Sequence, residues 1–340
     1  MMRRTGAFDR HILPDFDSMA DFVQTLITAL EVGSLYALIA LGYTMVYGIL
    51  RFINFAHSDI VVLGAWISFT LSSWLLPALG LDPHNPATTP PFWVGGVILL
   101  SAMAACGFIG FVIERLAYRP LRNAPRLNVL ITAIGVSLLL QNVGQLDFVF
   151  GPSPQKMPAL LPNWSVLSFS FSGGDASRLI SIGLVDVILF VTAAVLMVGL
   201  EYLVFRTKLG TAMRAVSYSP TTAALMGIPV DRVVSFTFVL GSALAAAAGF
   251  LYAMKYPGLN QPAHTIWVLL GLKAFVAAVI GGIGNVRGAV VGGFVIAFVE
   301  QFGAFYISSS YRDVYVFALL ILILLVLPNG LLGSTVREKV

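Results

Sequence analysis

Apolar residues fill nearly the whole chain in stretches of about 20, divided by short segments where Pro, Gly, Asn, Asp and Arg collect. As a helix, a stretch of that length crosses about 30 Å of hydrocarbon. The pattern therefore predicts spans at 22–50, 57–76, 92–115, 127–147, 179–205, 233–254, 265–283, 287–307 and 314–332. The fold class is an all-α polytopic membrane protein with eight or nine transmembrane helices. An N-terminal tail, 1–21, precedes one transmembrane domain, 22–333, and a C-terminal tail, 334–340, follows it. Residues 1–21 lack the apolar core of a signal peptide. The longest loop, 148–178, contains "WSVLSFSF", whose alternation fits a strand or short hairpin as well as an irregular cap.

Composition removes the soluble alternatives. Hydrophobic residues make up 58%, charged residues 11%, and the mean hydropathy is +0.89, far from a soluble domain. Arg115, Arg119, Arg122 and Arg126 share one connection, and Arg206, Lys208, Arg214 and Arg232 another. The positive-inside rule places both in the cytoplasm and sends 77–91 and 148–178 outside. The net charge of +4 is thus loop asymmetry, with no nucleic-acid footprint. Counting back from the first cluster puts the N-terminus outside, whereas Arg3, Arg4 and Arg10 favour inside. An outside N-terminus, or a broken or re-entrant element within 22–56, resolves that conflict. The single cysteine, Cys106, allows neither a disulfide framework nor a CxxC metal pattern.

The polar interruptions carry the functional information. In "INFAHS", Asn54 and His57 are three apart and share a face on a continuing helix; lipid would leave their polar atoms unpartnered. Two readings fit: a cytoplasmic turn between helices, or a helix broken at membrane depth whose polar atoms line a path. A second stretch, Ala277 to Glu300, has the same layout of apolar span, polar break "GNVRG" and apolar span, and suggests a degenerate internal repeat. Asn54, His57, Gly284 and Asn285 are therefore the substrate-pathway candidates. Gly284, Gly288 and Gly292 recur at i, i+4, i+8, a small-residue face for helix packing. Ionisable residues inside spans are Glu31, Asp186, Glu201, Lys273 and Glu300. At a lipid-facing centre Asp or Lys costs about 2.5–3.5 kcal/mol. Glu201 is expected near the inner interface; Glu31, Lys273 and Glu300 are candidates for interhelical pairing.

In the cytoplasmic loop 206–232, Ser217, Ser219, Thr221 and Thr222 precede a short helical pattern, Ala223 to Met226, stopped by Gly227 and Pro229. Such a helix is either a plain loop turn or a knob for a partner's groove. There is no phosphate-binding loop, no HExxH and no nucleophile paired with a histidine. No catalytic residue, metal or cofactor is expected, and the chain is not an enzyme; ATP-driven transport would need ATPases on other chains. An autonomous ion-coupled transporter would instead want a concentrated acid cluster, which the scattered charges do not supply.

Four motifs in order, "LEVGSLYALIALGYTMVYGILRFINFAHSDIVVLGAWISF", "RTKLGTAMRAV...ALMGIPVDRV", "KAFVAAVIGGIGNVRGAVVGG" and "FALLILILLVLPNGLLG", span nearly all of 22–333. They closely resemble the H-type membrane subunits of branched-chain amino acid ABC importers. The resemblance implies alternating access in a bacterial-type inner membrane, with four kinds of partner: a second homologous permease, two ABC ATPases, a periplasmic binding protein and the lipid bilayer. It makes Pro220, Thr222, Ala223, Ala224, Leu225, Met226 and Gly227 the ATPase-coupling segment. Relatives commonly carry charges there, where this chain has Tyr218, Ser219, Pro220, Thr221, Thr222, Ala223 and Ala224; contact would then rest on shape. The family also includes permeases for urea, short amides and other amino acids.

Overall fold

The computed structural model describes residues 16–83, 90–122, 124–162, 164–173 and 176–333. The predicted tail 334–340 and the arginines at 3, 4 and 10 lie outside the described residues.

The first helix, α1 (Phe16–Leu50), runs unbroken. At 1.5 Å per residue it is about 52 Å long, so it takes in 16–21 of the predicted tail. The others that reach across the bundle are α2 (His57–Ala78), α3 (Phe92–Ile113), α4 (Arg126–Gly144), α5 (Leu184–Arg206), α8 (Val230–Lys255), α9 (Thr265–Gly281), α10 (Val286–Tyr306) and α11 (Arg312–Val326). Among the described residues, eight helices are long and apolar enough to cross a membrane; α9, at 17 residues, is shorter. It nonetheless joins the two ends, because α8 rises away from the cationic end and α10 starts beside Gly48 at the foot of α1.

Small residues decide the packing. A side chain on Gly64 would overlap the Ala246 backbone, and one on Gly249 the Val61 carbonyl, so α2 and α8 cross in backbone contact; close approach of this kind is what membrane helices use in place of hydrophobic drive. Gly110 of α3 meets Ser242, and Gly293 of α10 meets Ala37 of α1. In α1 and α8, 78% and 72% of the most apolar stretch is buried, against 11% in α11 and 17% in α4. The core is therefore α1, α2, α8, α9 and α10, and the apolar rim of α3, α4, α5 and α11 is left for lipid or partner chains.

The outer face is not purely helical. The hairpin alternative holds for "WSVLSFSF": β2 (Ser165–Gly173) pairs antiparallel with β3 (Ala176–Gly183). This moves the start of the span expected at 179–205 to Leu184, because 179–183 is strand. A second small pair joins β1 (Gln155–Lys156) to β4 (Gly258–Leu259). At the other end, the span expected at 314–332 stops at Val326. The following "LPNGLLG" folds back, and Leu331 and Leu332 donate their N–H groups to the Ile280 and Gly281 carbonyls at 2.8 and 3.0 Å, satisfying the exposed carbonyls at the end of α9.

Candidate functional site

The cationic end holds Arg51, Arg119, Arg122, Arg214 and Arg287, each tied locally. Arg119 and Arg122 bind Asp231, Arg122 also binds Glu114, and Arg287 binds Glu201 at 2.6 Å. Arg51 reaches the Ser217 carbonyl. The positive-inside rule predicts the cytoplasm for this end; α1 ends at it, at Leu50, and on that assignment enters from the outer side.

After Leu50 the chain turns at the exposed Arg51 and then runs inward. Arg51 adopts φ 53°, a left-handed conformation rare outside glycine, and 51–56 runs back beside α1. His57 opens α2 with its Nε2 3.2 Å from the Ile39 carbonyl oxygen and its ring edge-on to Tyr43. Gly42 makes the room, since a side chain there would overlap the imidazole. Gly42 precedes Leu50 by eight residues, so α2 begins about 12 Å inside the end of α1, measured along its axis. His57 and Asn54 are both buried, at 1% and 2% exposure.

A polar knot closes around this start. A π-helical turn, Glu114–Tyr118, continues α3 and brings the Tyr118 hydroxyl to donate to Asn54 Oδ1 at 2.6 Å. Gln141 of α4 donates to Asp59 Oδ1 at 2.9 Å, and Ser58 sits against Gly271 of α9. Buried polar atoms need partners within protein, and four neighbouring elements, α1, the π-helical turn, α4 and α9, hold the break; Asp59 Oδ2 is left without a hydrogen-bond partner. Tyr118, Asp59, Gln141 and Gly42 escape a reading by sequence motif. Asp59 and Gln141 were the findable ones, as polar residues inside apolar spans; Tyr118 has no linear signal.

The "GNVRG" break is built differently. Gly282 and Gly284 have φ of 105° and 92°, values that a side chain would strain. The tight turn caps α10 with Asn285, whose Oδ1 accepts from the N–H groups of Arg287 and Gly288 at 3.1 and 3.3 Å while its Nδ2 donates to the Leu332 carbonyl. Asn285 is thus at the cytoplasmic end. Gly284 lies in the turn, beside Gly48, so the packing face of α10 is Gly288 and Gly292, which press on Gly281 and Ala277 of α9.

The intramembrane ions are paired towards the outer side. Lys273 contacts Glu300 at 3.0 Å and Asp313 at 2.7 Å, and the Tyr36 hydroxyl donates to the other Glu300 oxygen at 2.7 Å. Glu31 binds Lys255 at 2.8 Å, and Lys255 also binds Asp186. Among the described residues there is no cluster of ligands fit to hold a metal.

On the cytoplasmic side, α6 (Lys208–Tyr218) lies before α7 (Pro220–Leu225). Ser219 caps α7 by accepting from the Thr222 N–H at 3.2 Å, so Thr221 and Thr222 are inside the helix rather than before it. Gly227 ends the element with φ 80°. Ala223 is buried, while Tyr218, Leu225 and Met226 are 85%, 83% and 79% exposed. Ser217 donates to the Gly48 carbonyl and so ties this corner to the foot of α1.

Residues 25–325 match the family model described as branched-chain amino acid transport system / permease component. The chain belongs to this permease family. It is 42% identical to the high-affinity branched-chain amino acid transport system permease protein BraD of Pseudomonas aeruginosa, over 94% of this chain and 98% of that one. It is 40% identical to LivH of Escherichia coli K12, again over 94% and 98%. A probable LivH of Methanocaldococcus jannaschii is 30% identical over 90% of each chain. No solved structure matches. This member of the permease family is a multi-pass membrane protein and has a transport role, not an enzymatic one.

Proposed function

We propose that this chain is one permease subunit of an ATP-driven importer of branched-chain or related amino acids in a bacterial-type inner membrane. It pairs with a second homologous permease, sits on two ABC ATPases and receives its substrate from a periplasmic binding protein. The observation that carries the reading is α7: a short, capped helix on the cytoplasmic end, with Tyr218, Leu225 and Met226 exposed and no chemistry of its own. A rigid apolar knob of this kind suits insertion in a partner's groove. Its mounting on α1 through Ser217 and Gly48 supports a lever from ATPase to α1 and the buried break. In this reading the 51–56 segment, with Asn54 and His57, and the turn at Gly284 and Asn285, border the path whose two openings alternate.

Reconstitution of the five-part assembly in proteoliposomes tests this. Leucine uptake should need ATP, the binding protein and both permeases, and Leu225→Asp with Met226→Asp should abolish ATPase co-purification. Leucine flux through this chain alone, driven by an ion gradient, would overturn it.

A further inference from the structure

At the cationic end, residues of α3, the turns that follow it, α7 and α8 line a groove of about 640 Å³. Arg115, Arg119, Arg232 and the carboxylate of Asp231 form its rim, and Phe111, Phe236 and Val239 its wall. Arg119 is engaged by Asp231. Arg115 and Arg232 are exposed, and among the described residues neither has a carboxylate partner.

Depth separates the occupants such a groove can take. Val239 is nine residues into α8, about 13 Å along its axis from Val230, and Phe111 is one helical turn outward from Arg115. A soluble partner approaching from the cytoplasm meets the arginines but not this wall. A molecule with an anionic phosphate at the headgroup level and an apolar chain above it meets both. We propose that the groove binds an anionic phospholipid, with its phosphate between Arg115 and Arg232 and an acyl chain along Phe111, Phe236 and Val239. Basic pockets between helices on the cytoplasmic side are suited to such headgroups. Ala224 of α7 completes the lining, so the lipid braces α7 from the membrane side.

Native mass spectrometry of the transporter purified with its partner chains tests the site. The probes are dioleoylphosphatidylglycerol, dioleoylphosphatidylcholine and glycerol phosphate. Phosphatidylglycerol should be retained well above phosphatidylcholine, and glycerol phosphate should not be retained. Arg115→Gln should weaken phosphatidylglycerol about fivefold, and the double variant with Arg232→Gln about 30-fold. Arg287→Gln, away from the groove, should change nothing. Phe111→Ala keeps the arginines and should weaken dioleoyl more than short-chain phosphatidylglycerol. Equal retention of the two diacyl lipids, or undiminished binding to the double variant, would overturn the proposal. So would glycerol phosphate binding as tightly as the lipid, which marks a soluble-anion site, or loss of a second permease from the double variant, which marks a protein interface.

Discussion

The two helix breaks, 51–56 and Gly282–Asn285, look alike in hydropathy and differ in three dimensions. The first sends the chain back into the bundle, so that α2 starts level with Gly42 and buries Asn54, His57 and Asp59. The second turns tightly, and its polar residue stays at the cytoplasmic end as a helix cap. The neighbours make the difference. At the first, Gly42 opens a notch, and Tyr118 and Gln141 supply partners for polar atoms that water cannot reach. At the second, positive-φ glycines close the turn and the returning "LPNGLLG" satisfies the end of α9. A polar residue in an apolar run therefore marks a break, but the partners available set its depth.

Substitutions can break this comparison, and their effects should scale with burial. The largest is expected at the outer staple of the α9–α10 hairpin. Lys273→Met leaves Glu300 buried without its cation, which should cost about 3–5 kcal/mol; pairing it with Glu300→Gln should recover much of that in thermal melts. Gly42→Val pushes against the His57 ring and should lower stability by about 3 kcal/mol. If melting is unchanged, the deep start of α2 is wrong. Tyr118→Phe strips the donor from Asn54 and should cost roughly 1–3 kcal/mol, with most of that absent when Asn54→Leu is already in place. The smallest effect belongs to the shallow break: Asn285→Ala removes a helix cap, worth about 1 kcal/mol. An Asn285 loss equal to that of Tyr118 would erase the contrast.

Spans and the place of both breaks were legible in the linear pattern, because hydrocarbon thickness acts on composition alone. The hairpin boundary at Leu184 was not, since the β3 residues "LISIG" are as apolar as the helix they precede. Nor was the end at Val326, because "LPNGLL" reads as a continued span until its N–H groups are seen to cap α9. Charged residues were legible as requiring partners; which partner was not. Glu31 and Lys255 are far apart in sequence yet ion-paired, as are Lys273 and Asp313, and no local rule joins them. Tyr118 had no signal, for its hydroxyl reaches Asn54 only through the π-helical turn.

By itself, then, the sequence determined an all-α membrane bundle with a cationic end, two interruptions and a capped knob between Arg206 and Arg232. Each follows from terms that a single helix carries: transfer to hydrocarbon, charge bias, and the N–H and carbonyl groups at helix ends. Tertiary structure alone decided how deep Asn54 and His57 lie, which ions pair, and that the groove joins arginines to an apolar wall. Those are properties of facing surfaces, fixed where Gly42, Gly64, Gly249 and Gly292 let backbones touch. Close approach of two helices depends on both partners, which one strand of text lists far apart.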